Sequence, residues 1–292
     1  MQKKERAALL SVASNSLLTL SKIVVGVMTG ALSVLSEAAH SGVDLLASLI
    51  AYYSVRQSGK PADLRHPYGH GKIENLSAAV EALLIVLAAI WIIWEAMHKL
   101  KLPGEVQAID YGIVAMVLSI IMNVLVSRYL FKVARETESP ALEADALHLQ
   151  ADIWTSLGVL TGLVAIKITG FLWLDPMIAI VVALFIFKAG YDMTKSNVAD
   201  LMDSGFCQSV AEVLAAEIDR HPEVVGYREL RTRRGGKQKF VDITLQFTPE
   251  ISLKEAHRVS HEMEIALRRY FTHLDMVIHL EPIEESGKGT LP

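Results

Sequence analysis

The sequence predicts an α-helical membrane protein of six transmembrane helices, followed by a small C-terminal α/β domain. Three observations carry that expectation. Of the 292 residues, 52% are hydrophobic, and the mean hydropathy is +0.35, an apolar excess that ordinary soluble domains do not show. The apolar residues fall into separate runs of about the 20 residues that a helix needs to cross a hydrocarbon core. After Asp203 charged residues recur every few positions and no further run of that length follows.

Taken in order, the runs lie at Leu9–Thr29, Ala31–Val55, Leu76–His98, Tyr111–Phe131, Ala141–Ile168 and Phe171–Tyr191. Pro103-Gly104, Ser139-Pro140 and Thr169-Gly170 punctuate them, as turn-forming pairs do. The first run follows a basic start, Met1 to Arg6, but contains Asn15 and Lys22 and offers no clear small-residue cleavage site, so it reads as a retained helix rather than a signal peptide. Six spans put both termini on one side. Lys3, Lys4, Arg6, Arg56, Lys60, Arg65, Lys72, Arg128, Lys132 and Arg135 gather on that side, against Lys99, Lys101 and Lys167 on the other. Because positive charge close to span ends stays inside, both termini are expected in the cytoplasm and the protein in the cell's inner membrane.

The transmembrane domain is therefore placed at 1–205, a soluble cytoplasmic domain at 206–283, and a flexible tail at 284–292. Within the soluble domain, Gln208–Arg220 has the period of an amphipathic helix, Val224–Arg233 and Phe240–Phe247 that of strands joined at Gly235-Gly236, Leu253–Phe271 that of a second helix, and Met276–Leu280 that of a last strand. The order is αββαβ, a ferredoxin-like layer of helices on a small sheet.

Several functions are disfavoured at once. A net charge of -4 supplies no basic field for nucleic acid. Cys207 is the single cysteine, so a metal would have to be held by imidazole and carboxylate. Such groups occur inside two of the predicted spans. His40 and Asp44 are four residues apart in the second, and His148 and Asp152 repeat the spacing in the fifth. Four residues is about one helical turn, so each pair shares a face, and facing helices would assemble two imidazoles and two carboxylates, a closed tetrahedral set for zinc. One such pair could be a hydrogen bond between helices. Two pairs on separate spans point to an ion pathway, because ionisable groups in lipid are costly. Nitrogen and oxygen ligands also suit cobalt, nickel, cadmium, iron and manganese.

The stretches Leu32–Asp44 (LSVLSEAAHSGVD), His66–Glu74 (HPYGHGKIE), Leu142–Asp152 (LEADALHLQAD) and Leu201–Ser204 (LMDS) resemble the cation diffusion facilitator, or zinc transporter, family over nearly the whole chain. The resemblance implies a homodimer that exports divalent metal by alternating access in exchange for protons, with the transport site on the second and fifth helices. A histidine at the position of His40 tilts the metal toward zinc, as substrate rather than catalytic cofactor. Imidazole titrates near neutrality and binds metal only when neutral, so protonating His40 or His148, with His148 favoured, would expel the ion.

The resemblance also implies a loop site at Asp63, His66 and His70, three ligands within eight residues, whose alternative is a solvated loop. In the soluble domain Asp242, His257 and His279 are candidate ligands, with Glu281 and His261 nearby. Arg228 and Thr244 stand where relatives carry metal-binding histidines, and a polar dimer interface without metal is the alternative. Lys72 and Asp203 match a charge pair that in the family joins the end of helix three to the start of the soluble domain. For Asn15, Lys22, Glu81 and Asn123 the expectation is hydrogen bonding between helices or snorkelling.

Other classes fit less well. A membrane metalloprotease lacks His-Glu-x-x-His, and an ATP-driven pump lacks a Gly-x-x-x-x-Gly-Lys-Ser/Thr loop. A membrane-anchored metal sensor would leave the intramembrane ligands unexplained. No enzyme activity is expected.

Overall fold

The computed structural model describes residues 3–29, 32–101, 109–169, 171 and 173–283. The expected tail at 284–292, Pro103-Gly104 and Gly170 lie outside the described residues. The chain divides into two compact units, Met1–Val198 and Ala199–Pro292.

The first unit is built from long helices: α1 (Lys3–Thr29), α2 (Leu32–Ser58), α3 (Lys72–Lys101), α4 (Ile109–Thr137), α5 (Pro140–Thr169) and α6 (Leu174–Leu201). At 1.5 Å per residue each is roughly 40–45 Å long, more than a hydrocarbon core requires. They outrun the apolar stretches that predict them because a helix carries on into water where its residues favour it. α4 continues past Phe131 to Thr137 with Arg135 in its last turn, where a cation complements the carbonyl end of the helix dipole. Glu138 then takes a left-handed φ of 48° and breaks the chain direction. Ser139 caps the next helix, its carbonyl accepting from the Glu143 amide at 3.2 Å, and Pro140 fills the first helical position, where its missing N–H costs nothing.

The interior of this unit is polar and small, and its surface is apolar. Ala7, Ala8, Ala51, Ala78, Ala82, Ala144 and Ala146 are fully buried, as are Ser11, Ser48 and Glu81, whereas Leu17, Leu46, Trp91 and Phe185 stand more than half exposed. A water-soluble bundle has the reverse arrangement; lipid-facing helices pack through small residues and interhelical hydrogen bonds. Three such bonds fasten neighbours: Thr19 Oγ1 donates to the Ser41 carbonyl at 2.9 Å, Ser54 Oγ to that of Ile73 at 2.9 Å, and Ser127 Oγ to that of Ala146 at 2.9 Å. Among the described residues, two helical stretches, Lys72–His98 and Pro176–Leu201, are apolar enough throughout to cross a membrane on length and composition alone.

At one end of the bundle four segments meet on Glu74. Its Oε1 lies 2.5 Å from Lys4 Nζ, and Lys4 also donates to Ser58 Oγ at 2.9 Å. The hydroxyls of Ser58 and Ser139 both donate to the Glu74 carboxylate. The Lys4 and Glu74 side chains are 7% and 4% exposed, so this polar clamp of α1, α2, α3 and the α4–α5 turn is shielded from solvent.

The second unit has the expected αββαβ order: α7 (Cys207–Ile218), β1 (Val224–Gly235), β2 (Gln238–Phe247), α8 (Leu253–Tyr270) and β3 (Leu274–Pro282). The sheet runs β1-β2-β3, with β1 and β2 antiparallel and β3 parallel to β2 after the crossover through α8. The hairpin turns at Gly236 and Lys237, one residue later than expected, because Gly235 still pairs with Gln238 and Gly236 takes the left-handed φ of 60°. Val241, Ile243, Leu245 and Phe247 alternate onto the core, where Val210 and Leu214 of α7 and Val259, Met263 and Leu267 of α8 cover them. Ser252 caps α8 by accepting from the Glu255 amide.

Candidate metal centres

The bundle brings α2 against α5. Asp44 Oδ1 lies 3.1 Å from His148 Nε2, and Asp44, His148 and Asp152 each present a ligand atom within 4.8 Å of the others. Asp44 and His148 are 7% exposed and Asp152 is half-buried. A tetrahedral zinc with bonds of about 2.0–2.1 Å has ligand atoms roughly 3.3 Å apart, so the Asp44–His148 spacing matches one edge of such a set. His40 lies on α2 one turn before Asp44, but its side chain falls outside those described.

Next to these ligands lies a polar cavity lined by Asn15 and Thr19 of α1, Ser41 and Asp44 of α2, Ser119 and Asn123 of α4, and Asp152, Thr155 and Ser156 of α5. Along every one of these helices the lining residues lie on the side of the ligands away from the Lys4–Glu74 clamp. Asp44 and Asp152 thus share this cavity, and its other lining residues lie on their side away from the clamp.

Asn15, Glu81 and Asn123 do not all form the interhelical hydrogen bonds expected of them. Asn15 Nδ2, both Glu81 carboxylate oxygens and Asn123 Oδ1 are buried without a partner. The two asparagines turn toward the cavity instead of a neighbouring helix. Asp145, not singled out in the sequence, is likewise buried with both oxygens unpartnered. Its position three residues before His148 on α5 was the available signal.

The loop between α2 and α3 gathers the second set. Asp63 Oδ1 lies 3.2 Å from His66 Nδ1 and Asp63 Oδ2 lies 3.5 Å from His70 Nε2, and the three share one 4.8 Å cluster. The His66 and Arg65 amides donate to Asp63 Oδ1 at 2.7 and 2.9 Å. The His66 amide bond, with that of Arg65, holds the Asp63 carboxyl below its ordinary range. Both His–Asp spacings match a tetrahedral edge, so these residues fit three of zinc's four positions, with exposed Asp63 and His66 leaving the fourth to water.

The soluble-domain candidates are not gathered in this way. Among the described residues no metal-sized cluster includes Asp242, His257 or His279. Asp242 and His279 lie on adjacent strands, where Asp242 pairs with Val277 and Thr244 with His279; His257 projects from α8, exposed. His279 Nε2 instead approaches Glu281 at 3.4 Å, and Arg228 bonds the same carboxylate. Arg228 thus supplies a positive charge beside Glu281. Lys72 opens α3 in the first unit, and Asp203 belongs to the second, where its Oδ1 lies 3.8 Å from Arg233 Nη1.

Comparison with known proteins agrees with the helical unit and the small α/β unit in turn. Residues 8–202 match the cation efflux transmembrane domain, and residues 209–283 match the cytoplasmic domain of cation efflux proteins. The cation-efflux pump FieF of Serratia proteamaculans is 32% identical over 97% of this chain and 94% of its own. FieF of Shewanella oneidensis is 28% identical over 94% and 92%, and the uncharacterized transporter sll1263 of Synechocystis is 29% identical over 88% and 84%. With both units matched and the buried His–Asp set on the helices expected to carry it, the chain belongs to the cation diffusion facilitator family of membrane metal exporters.

Proposed function

We propose that the protein is a zinc/proton antiporter, working as a homodimer by alternating access in the inner membrane, with six membrane-spanning helices and both termini in the cytoplasm. The observation that carries the reading is the buried contact of Asp44 with His148 across α2 and α5, with Asp152 beside it. An aspartate and an imidazole held at ligand spacing in an otherwise lipid-facing bundle, beside a polar cavity, form a place where a dehydrated dication gains ligands it loses in hydrocarbon. His40 is the proposed fourth ligand and the residue on which zinc is preferred over cadmium, cobalt, nickel, iron or manganese. His148 is the favoured coupling histidine.

Asp63, His66 and His70 are proposed as a second, cytoplasmic metal site with a structural or regulatory role. For Asp242, His257 and His279 the geometry of a single protomer favours a polar surface over a metal site. The proposed Lys72–Asp203 charge pair would hold two protomers in register.

The test is zinc flux into proteoliposomes, followed with a lumenal dye, with and without an opposing pH gradient and with the other metals in competition. Zinc uptake stimulated by the gradient is expected, and an Asp44→Ala variant that remains folded should lose it by more than the roughly 10–100-fold typical of losing an outer-shell partner. Absence of wild-type flux under every gradient sinks the reading; preference for another metal moves the substrate but not the mechanism.

A further inference from the structure

The second unit carries opposite charge at its two ends. β1 finishes, and β2 and β3 begin, at the same end of the sheet. α7 starts and α8 finishes there too, since the Phe206 amide donates to Thr232 Oγ1 at 2.6 Å and the Phe206 ring lies 5.8 Å from that of Phe271. The hairpin tip and the last turn of α8 bring Arg233, Arg234, Lys237, Lys239, Arg268 and Arg269 to this end, against Asp203 and Asp275. The opposite end has Glu217, Asp219, Glu223, Glu250 and Glu281 against Arg220 and Lys254. Arg268 bonds Glu264, and Arg233 lies 3.8 Å from Asp203. Arg234, Lys237 and Arg269 are exposed and form no ion pair among the described residues. Tyr270, next to Arg269, is 65% exposed.

The chain enters the basic end from α6. The Ser204 amide donates to the Ala199 carbonyl at 2.9 Å, so the last turn of α6 belongs to this unit. Arg233 approaches Asp203, and Arg234 lies over the Phe206 ring at 5.3 Å, both just past the helix end at Leu201. The apolar run of α6 stops at Tyr191, and the helix from there to Leu201 is about 15 Å long. Headgroups take up roughly the first 5–8 Å outside the hydrocarbon. The helix end, and the basic residues beside it, are thus tethered within about one Debye length, ~8 Å, of the headgroup layer. At that distance exposed arginines and lysines are attracted by anionic lipid, and an exposed tyrosine suits the same interface. Hydration alone does not sort bases to the tethered end and acids to the other; an anionic surface does.

We propose that the basic end of the soluble domain, through Arg234, Lys237 and Arg269, binds the headgroups of anionic phospholipids in the leaflet from which α6 emerges. The contact is electrostatic, and it holds the domain end-on to the membrane with its acidic end toward water. It rests on the membrane reading of α6 above and is independent of which metal is carried.

Quenching by lipid headgroups tests it on the full-length protein. A fluorophore at Gln238→Cys, in a Cys207→Ser background, is compared in nanodiscs of phosphatidylcholine alone and of phosphatidylcholine with phosphatidylglycerol, each with the same trace of lipid bearing a headgroup nitroxide. Quenching should be stronger in the anionic discs and fall to the neutral level near 1 M salt, where the Debye length is about 3 Å. A fluorophore at Glu250→Cys, at the acidic end, should stay weakly quenched in both. Arg234→Gln/Lys237→Gln/Arg269→Gln should lose the gain, and the charge-keeping Arg234→Lys/Lys237→Arg/Arg269→Lys should retain it. Equal quenching in the two lipids overturns the proposal, as does a gain that survives the glutamine variant. Equal quenching that salt still weakens overturns it in favour of acidic groups on the protein's own helices. Nanodiscs hold no gradient and carry one lipid mixture on both faces, so the outcome depends on neither zinc movement nor sidedness. Absent zinc flux in vesicles would remove the transport reading and leave the lipid contact standing, whereas failure to enter nanodiscs would remove the membrane reading itself.

Discussion

Asp63 shows how one residue can prepare a ligand. Its carboxylate accepts two backbone amides of its own loop, which hold it ionised and aimed at His66 and His70. Because these bonds lower the folded-state pKa, they favour the loop's turn at pH above the unfolded carboxyl value of about 3.9 and are lost as pH falls through the lower folded value. The turn should persist in apo protein down to roughly pH 4, as amide exchange in the loop can follow. In a protein already lacking Asp44, Asp63→Ala should weaken the remaining zinc binding by more than the roughly 10–100-fold typical of losing a second-shell partner, read by titration calorimetry; an unchanged affinity would remove Asp63 from the ligand set. Both candidate clusters were legible because their spacings are local, four residues on a helix or eight in a loop. Lys4 with Glu74 was not, because each member is an ordinary acid or base until the fold brings together positions 70 residues apart.

At the scale of elements, α6 depends on glycine. A Cβ on Gly190 would lie 3.0 Å from side-chain methyls of Ile85 and Val86 and 3.3 Å from the Ala82 carbonyl, and one on Gly158 would lie 3.1 Å from Val182. Close approach of α6 to α3 and α5 thus requires the absence of side chains at two crossing points. Gly190→Leu should destabilise the helical unit by about 1–3 kcal/mol through overpacking, seen as a lower thermal midpoint of the full chain in detergent; an unchanged midpoint would show that α6 is free to shift. Periodicity gave the existence and order of α1 to α8 and β1 to β3, since apolar runs and alternation are local patterns. It misjudged the ends of α4 and α6, because a membrane helix continues wherever its backbone bonds remain favourable, beyond the last lipid-facing residue. Close packing through glycine was not legible, because a glycine in an apolar run has no sequence mark that tells a contact from a gap.

For the helical unit as a whole, the telling contrast is between its ends. The clamp of Lys4, Glu74, Ser58 and Ser139 lies toward one end, and the polar cavity lies on the side of Asp44 and Asp152 away from it. Breaking a buried ion pair by removing one partner typically costs about 3–5 kcal/mol, and every 1.4 kcal/mol is tenfold in an equilibrium constant. Glu74→Gln should therefore raise the population open at the clamped end by about two to three and a half orders of magnitude. The check is the rate at which a cysteine placed at buried Ala8, in a Cys207→Ser background, reacts with a membrane-impermeant thiol reagent; equal rates in the presence and absence of Glu74 would rule out a barrier at the clamp. That the chain has two units was legible from the change in charge density after Asp203, but the opposition between the two ends was not, since it depends on which buried polar groups find partners.

The clamp has one more consequence, for the membrane around the protein. A carrier whose two doors stood open together would be a channel, and both the metal and the proton gradient would discharge through it. On the proposed exchange, a shielded ion pair that fastens α1, α2, α3 and the start of α5 at one end would serve as the closed door of an airlock. The fidelity of exchange would then depend on a lysine and a glutamate that touch no cargo, and their first symptom when mutated would be a short circuit rather than a loss of affinity.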